Sequence, residues 1–587
     1  MFRLLNRSMA FAPSSAKERW DEIINSIGRH HSLTLHPGQI QAGQAMMGPV
    51  IVEMATGEGK TAASLLTIVQ AAMSGQRVFI ATANDYLARR DAEFAAPVLH
   101  DFQSTVGCLQ TASPFEERQN AYRAQVVYGT MKEFVFDFLR DRLAKSESVT
   151  GPIHSASVIA RPAIQPAPDR LLIDEADSLL IDEAATPCIV SGPARPYSQA
   201  VSSCLAWGAR IAEQLTAGVD YIETPQQGVV TTPVGRAKIC QSPLPVELAS
   251  LTLGELFHWL ELSIHAHRRF RRKVDYVVRN GEVVIVDEST GRIAEGRQWT
   301  GGIHQAIEAR EQVPVSPANE PRAFLTIQEY VRRFRDVSGM TGTAAEVRRE
   351  FWKVFGLRVL EIPLQHSSCR QRLPDMASLS REETLKSLLA EVRQVHEARR
   401  PVLIGTRTVQ ASHALSARLS DQRLPHVILN ALNPDRESPI IAEAGEPGRI
   451  TVATNMAGRG TDIRLPAETI ARGGLHVISS ELHSAGRIDR QLMGRCGRQG
   501  DPGSFRQFLS LEDDNLKEAW RPEQAARIRQ RCRTPHMVEV QLRTAQRRLE
   551  QQAAIRRAQL CQHQQQRVEL LESLGLDPIL NPIPEMI

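Results

Sequence analysis

The stretch Val52–Thr61, which reads VEMATGEGKT, constrains the fold of this chain more than any other feature. Glycines followed by a lysine and a threonine, here from Gly57 to Thr61, form a turn whose backbone N–H groups can wrap around phosphates. An apolar run at Val50–Val52 suits a buried strand before the turn, and the Ala/Leu-rich residues 62–72 suit a helix after it. Met54 stands where the first glycine of such a turn is usual, so the pattern matches the relaxed form used by helicase-like motors. The residues therefore predict a phosphate loop in a nucleotide-binding α/β lobe.

Composition excludes several classes of protein. The 587 residues are too many for one hydrophobic core and predict about three to five domains. Lys and Arg number 70 and Asp and Glu number 66, a balance that argues against a protein that coats nucleic acid. Basic residues concentrate between 521 and 567, where a solvated helix face is the favoured interpretation and an anionic surface is the alternative.

The cysteines and the apolar runs indicate a cytoplasmic setting. The eight cysteines are scattered without a C-x-x-C pair, so the sequence predicts neither a disulfide framework nor a zinc site. No apolar run approaches the roughly 20 residues that span a bilayer. The apolar stretch within residues 1–10 is too short for a signal peptide.

Alternating strand-like and helical runs predict two parallel α/β lobes with a different domain between their parts. Asn280-Gly281 between two β-rich runs predicts a tight hairpin in the intervening domain, because both residues tolerate a positive φ. Residues 145–169, rich in Ser, Pro and Ala, are interpreted as a surface excursion, and Thr534-Pro535 predicts the start of a long C-terminal helix. The predicted segments are the first lobe at 1–193, the inserted domain at 194–322, the rest of the first lobe at 323–363, the second lobe at 364–517 and a helical tail at 518–587.

Two adjacent carboxylates supply the second element of a nucleotide site. Asp174 and Glu175 follow the apolar pair Leu171-Leu172, which places them at the carboxyl end of a buried strand, where α/β sheets bind ligands. Asp174 is predicted to hold Mg²⁺ together with the Thr61 hydroxyl. Glu175 is predicted to orient and deprotonate the water that attacks the γ-phosphate, with Lys60 on the phosphates.

Two glycine-flanked loops of the second lobe carry arginines that can enter a cleft between the lobes. Arg459 and Arg498 are predicted to meet the charge that develops on the γ-phosphate, which would tie hydrolysis to closure of the lobes. Arg495, in the loop of Arg498, is a candidate nucleotide contact. Asp462 is a candidate for the ribose or for a contact between the lobes, and Gln39 could read the adenine edge through its amide.

These motifs resemble those of the SecA family, the ATPase motors of bacterial preprotein export, over most of the chain. The resemblance rests on the phosphate loop, the segment 173–187 (IDEADSLLIDEAATP), the segment 283–297 (VVIVDESTGRIAEGR), and the loops 339–344, 454–462 and 491–503. It implies two RecA-like lobes interrupted by an inserted α+β domain of the preprotein cross-linking type. By motif position it implies ATP contacts at Gln39, Gly57, Glu58, Gly59, Lys60, Thr61 and Asp462.

The family resemblance also implies partners and a location. These are unfolded preproteins, a Sec-type channel at the cytoplasmic face of the inner membrane, and anionic lipids, with ATP and Mg²⁺ as cofactors. A homodimer is left open. The sequence departs from the family pattern in two places. After Asp514 we expect it to lack most of the helical scaffold, the wing, the two-helix finger and a zinc tail. At position 185 it has an alanine where an arginine is usual.

Two other functions remain open from the sequence. Asp174 to Asp177 spell the D-E-A-D box of RNA helicases, although in those proteins no large insertion separates this box from the next motif. A clamp that binds ATP and a secretion client but hydrolyses slowly is the second alternative, motivated by the short C-terminal region.

Overall fold

The computed structural model describes residues 14–580 with several internal gaps. The residues left out are 1–13, 151–162, 168, 194–197, 225–227, 273–274, 280, 287–292, 295–297, 300, 318, 430–439, 442, 455–461 and 581–587. The chain divides into two compact units, of which one is Val190–Arg322 and the other combines Met1–Ile189 with Ala323–Ile587.

The first lobe is built on a parallel sheet of seven strands. Its strands, in spatial order, are Arg358–Glu361, Val50–Glu53, Asp336–Thr341, Arg170–Asp174, Val78–Thr82, Val126–Thr130 and Val106–Cys108. The strands Val78–Thr82 and Arg170–Asp174 are buried along their whole length, as expected for a parallel sheet covered on both faces. Helices of this lobe are Ser14–His31, Pro37–Ala45, Lys60–Met73, Asp85–Asp101, Phe115–Arg123, Met131–Thr150, Ile327–Val331 and Arg348–Glu350, with short turns at Ser178–Asp182, Glu183–Ala185, Ala345–Val347 and Phe351–Phe355.

The second lobe repeats this architecture with another seven-stranded parallel sheet. Its main path runs Arg370–Arg372, Gly503–Ser510, Leu475–Ser479, Val402–Thr406, Ile450–Thr454 and Val427–Leu429, and Met376–Ser378 also pairs with Gly503–Ser510. Its helices are Arg381–Glu397, Val409–Asp421, Ala467–Ala471, Gly486–Met493, Asp514–Ala519 and Pro522–Arg531, with a short turn at Glu443–Gly445. Separate apolar clusters pack on the sheet, one containing Leu403 and Val477 and another containing Ile404 and Ile478. The prediction of two RecA-like α/β lobes is confirmed.

The unit Val190–Arg322 has a mixed α and β composition of its own. Its helices are Gln199–Ala212, Pro233–Gln241, Leu253–Arg269 and Ile303–Arg310, with a short turn at Val246–Ser250. The strands Tyr221–Thr224 and Gly228–Thr231 form one antiparallel pair. The strand Glu282–Val286 pairs antiparallel with Tyr276–Arg279 on one side and with Ile293–Ala294 on the other. Arg279 pairs with Glu282, which confirms the predicted hairpin. The strands Cys188–Pro193 and Asn319–Leu325, where the chain leaves and re-enters the first lobe, pair with each other.

A helix of 39 residues, Pro535–Ser573, follows the second lobe. The Thr534 hydroxyl accepts the Met537 N–H, which confirms the predicted start. The helix measures about 58 Å at the usual rise per residue, and it touches both lobes. Gln546 donates to Asp489 of the second lobe at 2.7 Å, whereas Arg557 binds Glu350 of the first lobe through two hydrogen bonds of 2.6 and 2.9 Å.

One local prediction was wrong. Residues 145–150, interpreted as part of a surface excursion, continue the helix Met131–Thr150. The remainder of that segment lies largely outside the described residues. None of the helices within the described ranges combines the length and the apolar character that crossing a bilayer requires.

Candidate active site

The phosphate loop lies between a strand of the first sheet and the helix Lys60–Met73. Gly57 and Gly59 have φ angles of 93° and 76°, a left-handed region that side chains with a Cβ rarely adopt. The helix begins at Lys60, so its first N–H groups and its positive dipole end face the loop. This geometry suits an anion, and phosphate in particular.

Gln39 holds the loop from the neighbouring helix Pro37–Ala45. Its Nε2 donates to the Glu58 carbonyl at 3.0 Å and its Oε1 accepts the His36 N–H at 3.0 Å. A Cβ on Gly59 would lie 2.2 Å from that Nε2, so a larger residue at position 59 would displace the Gln39 amide. The amide that was predicted to read adenine therefore lies directly against the phosphate loop.

The two carboxylates lie beside the loop, at the carboxyl end of the strand Arg170–Asp174. Lys60 Nζ lies 3.9 Å from Glu175 Oε1, and the two side chains are 11% and 9% exposed. Glu175 has a φ of 50°, a conformation that costs free energy in a non-glycine residue and is common at functional sites. The turn after the strand thus brings Glu175 towards the lysine of the loop.

The electrostatics around Asp174 favour a bound cation. Burial, followed by the negative charges of Glu175 and Asp91, raises the pKa of Asp174 to about 7, while Lys60 acts in the opposite direction. A divalent cation would supply the missing positive charge and favour the ionised carboxylate. Within the described part of the chain, no cluster of three His, Cys, Asp or Glu side chains is arranged to hold a metal by itself. The single buried carboxylate of Asp174 beside a phosphate loop has the chemistry that Mg²⁺ uses, since this ion is often bound by one or two carboxylates together with substrate phosphates.

A loop of the second lobe lies on the phosphate loop of the first. Gln499 Nε2 donates to the Gly57 carbonyl at 2.9 Å. A Cβ built on Gly57 would lie 3.1 Å from Cδ of Arg498, so the stem of this arginine packs on the glycine. The Arg498 guanidinium donates to Asp462 and, through Nε at 2.9 Å, to the carbonyl of Gly494. Arg498 is therefore held close to the position where phosphates would bind.

Comparison with known proteins assigns both lobes to one family. A model described as the SecA DEAD-like domain matches residues 15–352, and a model described as the SecA P-loop domain matches residues 367–472 and 467–536. The chain belongs to the SecA family.

Relatives in this family differ in length. The chain is 38% identical to protein translocase subunit SecA 2 of Rhodopirellula baltica, over 94% of this chain and 87% of that protein. It is 41% identical to protein translocase subunit SecA 3 of Magnetococcus marinus, over 81% and 73%. It is also 40% identical to protein translocase subunit SecA of Halothermothrix orenii, of which it spans only 55%. The structure of DEAD-box helicase Mss116 bound to ssRNA and UDP-BeF aligns with a TM-score of 0.43 and 14% identity, over 84% of this chain and 73% of that one, a level that supports no argument.

SecA-family membership and the phosphate loop make this chain an ATPase of the translocase type with a helicase-like fold. The structure brings Lys60 beside Glu175, which follows Asp174, and it packs Arg498, bound to Asp462, on Gly57 of the same phosphate loop. Arg495 lies in the same loop as Arg498, and Thr61 follows Lys60 in the first turn of the helix. Arg459 lies outside the described residues. The roles assigned to these side chains remain predictions.

Sequence reasoning missed a buried network around Asp177, the last residue of the D-E-A-D box. The Thr341 and Thr343 hydroxyls of the first lobe donate to its carboxylate at 2.5 and 2.8 Å. Gln491 and Arg487 of the second lobe donate to the same carboxylate at 2.5 and 3.4 Å. All of these residues lie in or beside motifs that the sequence singled out, but their spacing along the chain gave no sign that they meet.

We predict that Asp177→Asn separates ATP binding from turnover. The substitution keeps the side-chain shape but removes the charge that both lobes share, which is expected to cost about 2 kcal/mol of lobe–lobe interaction and about thirtyfold in kcat. The KM for ATP should change little, because the four side chains that donate to Asp177 above all lie outside the phosphate loop. Steady-state ATPase kinetics measure both constants.

Asp182→Asn is the matched control for this prediction. Asp182 also binds Arg487, but its side chain is 35% exposed and it accepts nothing from Gln491. Its loss should therefore reduce kcat by less than threefold, as for a partly solvated ion pair. Equal effects of the two substitutions would contradict a special role for Asp177.

Proposed function

We propose that this chain is an ATP-driven motor that couples lobe closure to the export of unfolded preproteins through a Sec-type membrane channel. The observation that carries the proposal is the contact of the second-lobe loop, through Gln499 and Arg498, with Gly57 of the phosphate loop. A nucleotide held between these two loops would contact both lobes at once. Its hydrolysis would therefore change the contact between the two lobes.

The proposed chemistry divides the site residues into four roles. The backbone of the loop 57–61 and Lys60 bind the phosphates, with Gln39 and Glu58 supporting the loop. Asp174 and Thr61 would hold Mg²⁺, which neutralises charge on the phosphates and orients them. Glu175 accepts a proton from the attacking water. Arg498 and Arg459 stabilise the charge on the transferred phosphoryl group, while Asp462 orients Arg498, and Arg495 contributes a further nucleotide contact.

The inserted unit Val190–Arg322 offers a surface for an unfolded client. Between residues 219 and 253 it exposes large apolar side chains, among which Val234, Val246 and Leu253 are 60%, 86% and 69% exposed. Large exposed apolar side chains supply area that an apolar segment of another chain can bury. This supports the preprotein as the partner of this unit.

The long helix ties the two lobes to each other. Gln546 holds it to the second lobe and Arg557 holds it to the first. A shift between the lobes must therefore move, bend or release this helix. We place the working site of the motor at the cytoplasmic face of the inner membrane, where anionic lipids are a further partner, and leave the homodimer to measurement.

The proposal is tested by ATPase rates and transport measured together. The chain is assayed alone, with an unfolded preprotein, and with the preprotein plus inner-membrane vesicles that contain the Sec channel. We expect the rate to rise severalfold only when client and channel are both present, with the preprotein becoming protease-protected inside the vesicles. Glu175→Gln is the matched inactive control, and single-stranded RNA replaces the client in a parallel reaction.

The outcomes separate the candidate functions. Client-stimulated hydrolysis without protease protection would replace the motor with the clamp. Stimulation by RNA alone, accompanied by strand displacement, would replace it with a helicase. No stimulation by any of these partners would refute the export proposal while leaving the ATPase intact.

A further inference from the structure

Glu58 places a carboxylate within the phosphate loop. It lies between Gly57 and Gly59, in a loop whose N–H groups suit a polyanion, and a carboxylate facing the same anion would be repelled. Its side chain is only 9% exposed. The carboxylate must therefore have another partner.

That partner is the segment that connects the two lobes. Glu58 Oε2 accepts the backbone N–H of Gln365 at 3.2 Å. Gln365 lies between Arg358–Glu361, an edge strand of the first sheet, and Arg370–Arg372, the first strand of the second. His36 Nε2 lies 4.0 Å from the same carboxylate oxygen and adds a polar neighbour. Since the donor is a backbone group, the bond depends on the path of the linker and not on the identity of residue 365.

The linker also touches the loops that face the nucleotide. At its start, the Ile362 N–H donates to the Glu53 carbonyl at 2.9 Å, which extends the pairing beside the strand that leads into the phosphate loop. Further along, a Cβ on Gly500 would lie 3.4 Å from Cβ of His366, at ordinary contact distance. The residues 362–366 therefore run between the phosphate loop and the arginine-bearing loop of the second lobe.

We propose that Glu58 is a positioning residue whose carboxylate ties the phosphate loop to the linker between the lobes. The proposal rests on the ATPase site described above and names a residue that acts without touching the reacting atoms. Binding of phosphates to the loop changes the position of Glu58, which changes the linker, and closure of the lobes acts back on phosphate affinity. Such coupling is reciprocal because both effects are parts of one thermodynamic cycle.

Hydrogen–deuterium exchange tests this directly, because the Gln365 amide is itself the donor. Peptides covering 54–61 and 362–369 are followed with and without a non-hydrolysable ATP analogue and Mg²⁺. In the unaltered chain we expect the analogue to change exchange in both peptides. In Glu58→Ala the loop peptide should still respond, whereas the response of the linker peptide should be lost and kcat should fall about tenfold, as for one charge-assisted hydrogen bond. The Kd for the analogue should stay within about threefold, since the loop backbone remains.

Glu361→Ala is the matched control. Glu361 ends the strand before the same linker, but its side chain is 59% exposed and pairs with Arg348 at 2.5 Å, so the response of the linker to nucleotide should persist. Glu58→Gln keeps an acceptor oxygen and loses the charge, and it should weaken the linker response about threefold. Circular dichroism establishes that each variant is folded, and Glu58→Gln carries the test if Glu58→Ala is not.

Three results would overturn the proposal. A linker response that persists unchanged in Glu58→Ala or Glu58→Gln would show that the bond transmits nothing. A large loss of analogue affinity in Glu58→Ala, with the linker response intact at saturation, would make Glu58 a nucleotide contact. A linker that ignores the analogue in the unaltered chain, while the loop responds, would remove the coupling and leave the ATP site in place. An unaltered chain in which neither peptide responds would refute the nucleotide site itself.

Discussion

Replacing Glu175 with glutamine is expected to leave ATP binding intact and to reduce its hydrolysis by about 10²- to 10⁴-fold, the range for loss of a general base. Glutamine has the same shape and still reaches Lys60, but its amide cannot take a proton from water. The Kd for ATP should remain within a few-fold of that of the unaltered chain, because the loop backbone and Lys60 are unchanged. Equilibrium binding of a fluorescent ATP analogue and single-turnover hydrolysis measure the two quantities separately.

Lys60→Ala tests phosphate binding at the same site, whereas Glu175→Gln tests proton transfer. Lys60→Ala removes the positive charge that lies 3.9 Å from Glu175 and that opposes the negative charges around Asp174. We expect both ATP affinity and turnover to be lost. If Glu175→Gln hydrolysed ATP at the original rate, or if Lys60→Ala still bound ATP as tightly, the phosphate loop and the acid pair beside it would not be the ATPase site.

Arg498→Ala is expected to reduce kcat by about 10³-fold, within the range for an arginine that stabilises a transferred phosphoryl group. Arg498 is the predicted finger that falls within the described residues, where its stem packs on Gly57 and its guanidinium is held by Asp462. Its contribution grows as charge develops on the phosphate, so KM should change far less than kcat. Steady-state and single-turnover kinetics at saturating Mg²⁺ check both constants.

Asp462→Asn and Arg498→Lys refine the interpretation of that result. Asp462 is 53% exposed and binds the Arg498 guanidinium, so we expect its loss to reduce kcat about tenfold or less. Lysine keeps the charge but not the fork-shaped donor set, so it should restore only a small part of the rate. If Arg498→Ala were as active as the unaltered chain, Arg498 would be a structural link between the lobes.

Local sequence patterns sufficed for much of the fold. The strands Val78–Thr82 and Val427–Leu429 coincide with short apolar runs of the sequence, and the hairpin at Tyr276–Val286 forms where Asn280-Gly281 required a tight turn. These elements depend on short-range properties, namely an unbroken apolar run or a pair of residues that tolerate positive φ. The phosphate loop belongs to the same group, because its two glycines are needed at their own positions.

Other elements escaped prediction because their environment is set by distant residues. The strand Gly503–Ser510 is central to the second sheet and almost fully buried, yet Arg506 and Gln507 interrupt its apolar pattern. Arg506 binds Glu391 on a helix that packs nearby, and Gln507 accepts a hydrogen bond from Arg543 of the long helix. Partners far along the chain thus allow polar residues inside a buried strand, which no local pattern can reveal.

The amino-acid sequence alone determined which chemistry is available to this chain. Three short motifs carry it: a glycine turn with Lys60, an acid pair after an apolar run, and arginines on glycine-flanked loops. Each motif is recognised from neighbouring residues, without knowledge of the fold. Only the tertiary structure decided which of these groups meet. Parallel strands bring Lys60 and Glu175 to the same edge of one sheet, and the packing of two lobes puts Arg498 on Gly57 and gathers partners from both around Asp177. Spacing along a chain carries no information about such contacts, since they form only when separate hydrophobic cores fix the strands and the lobes in place.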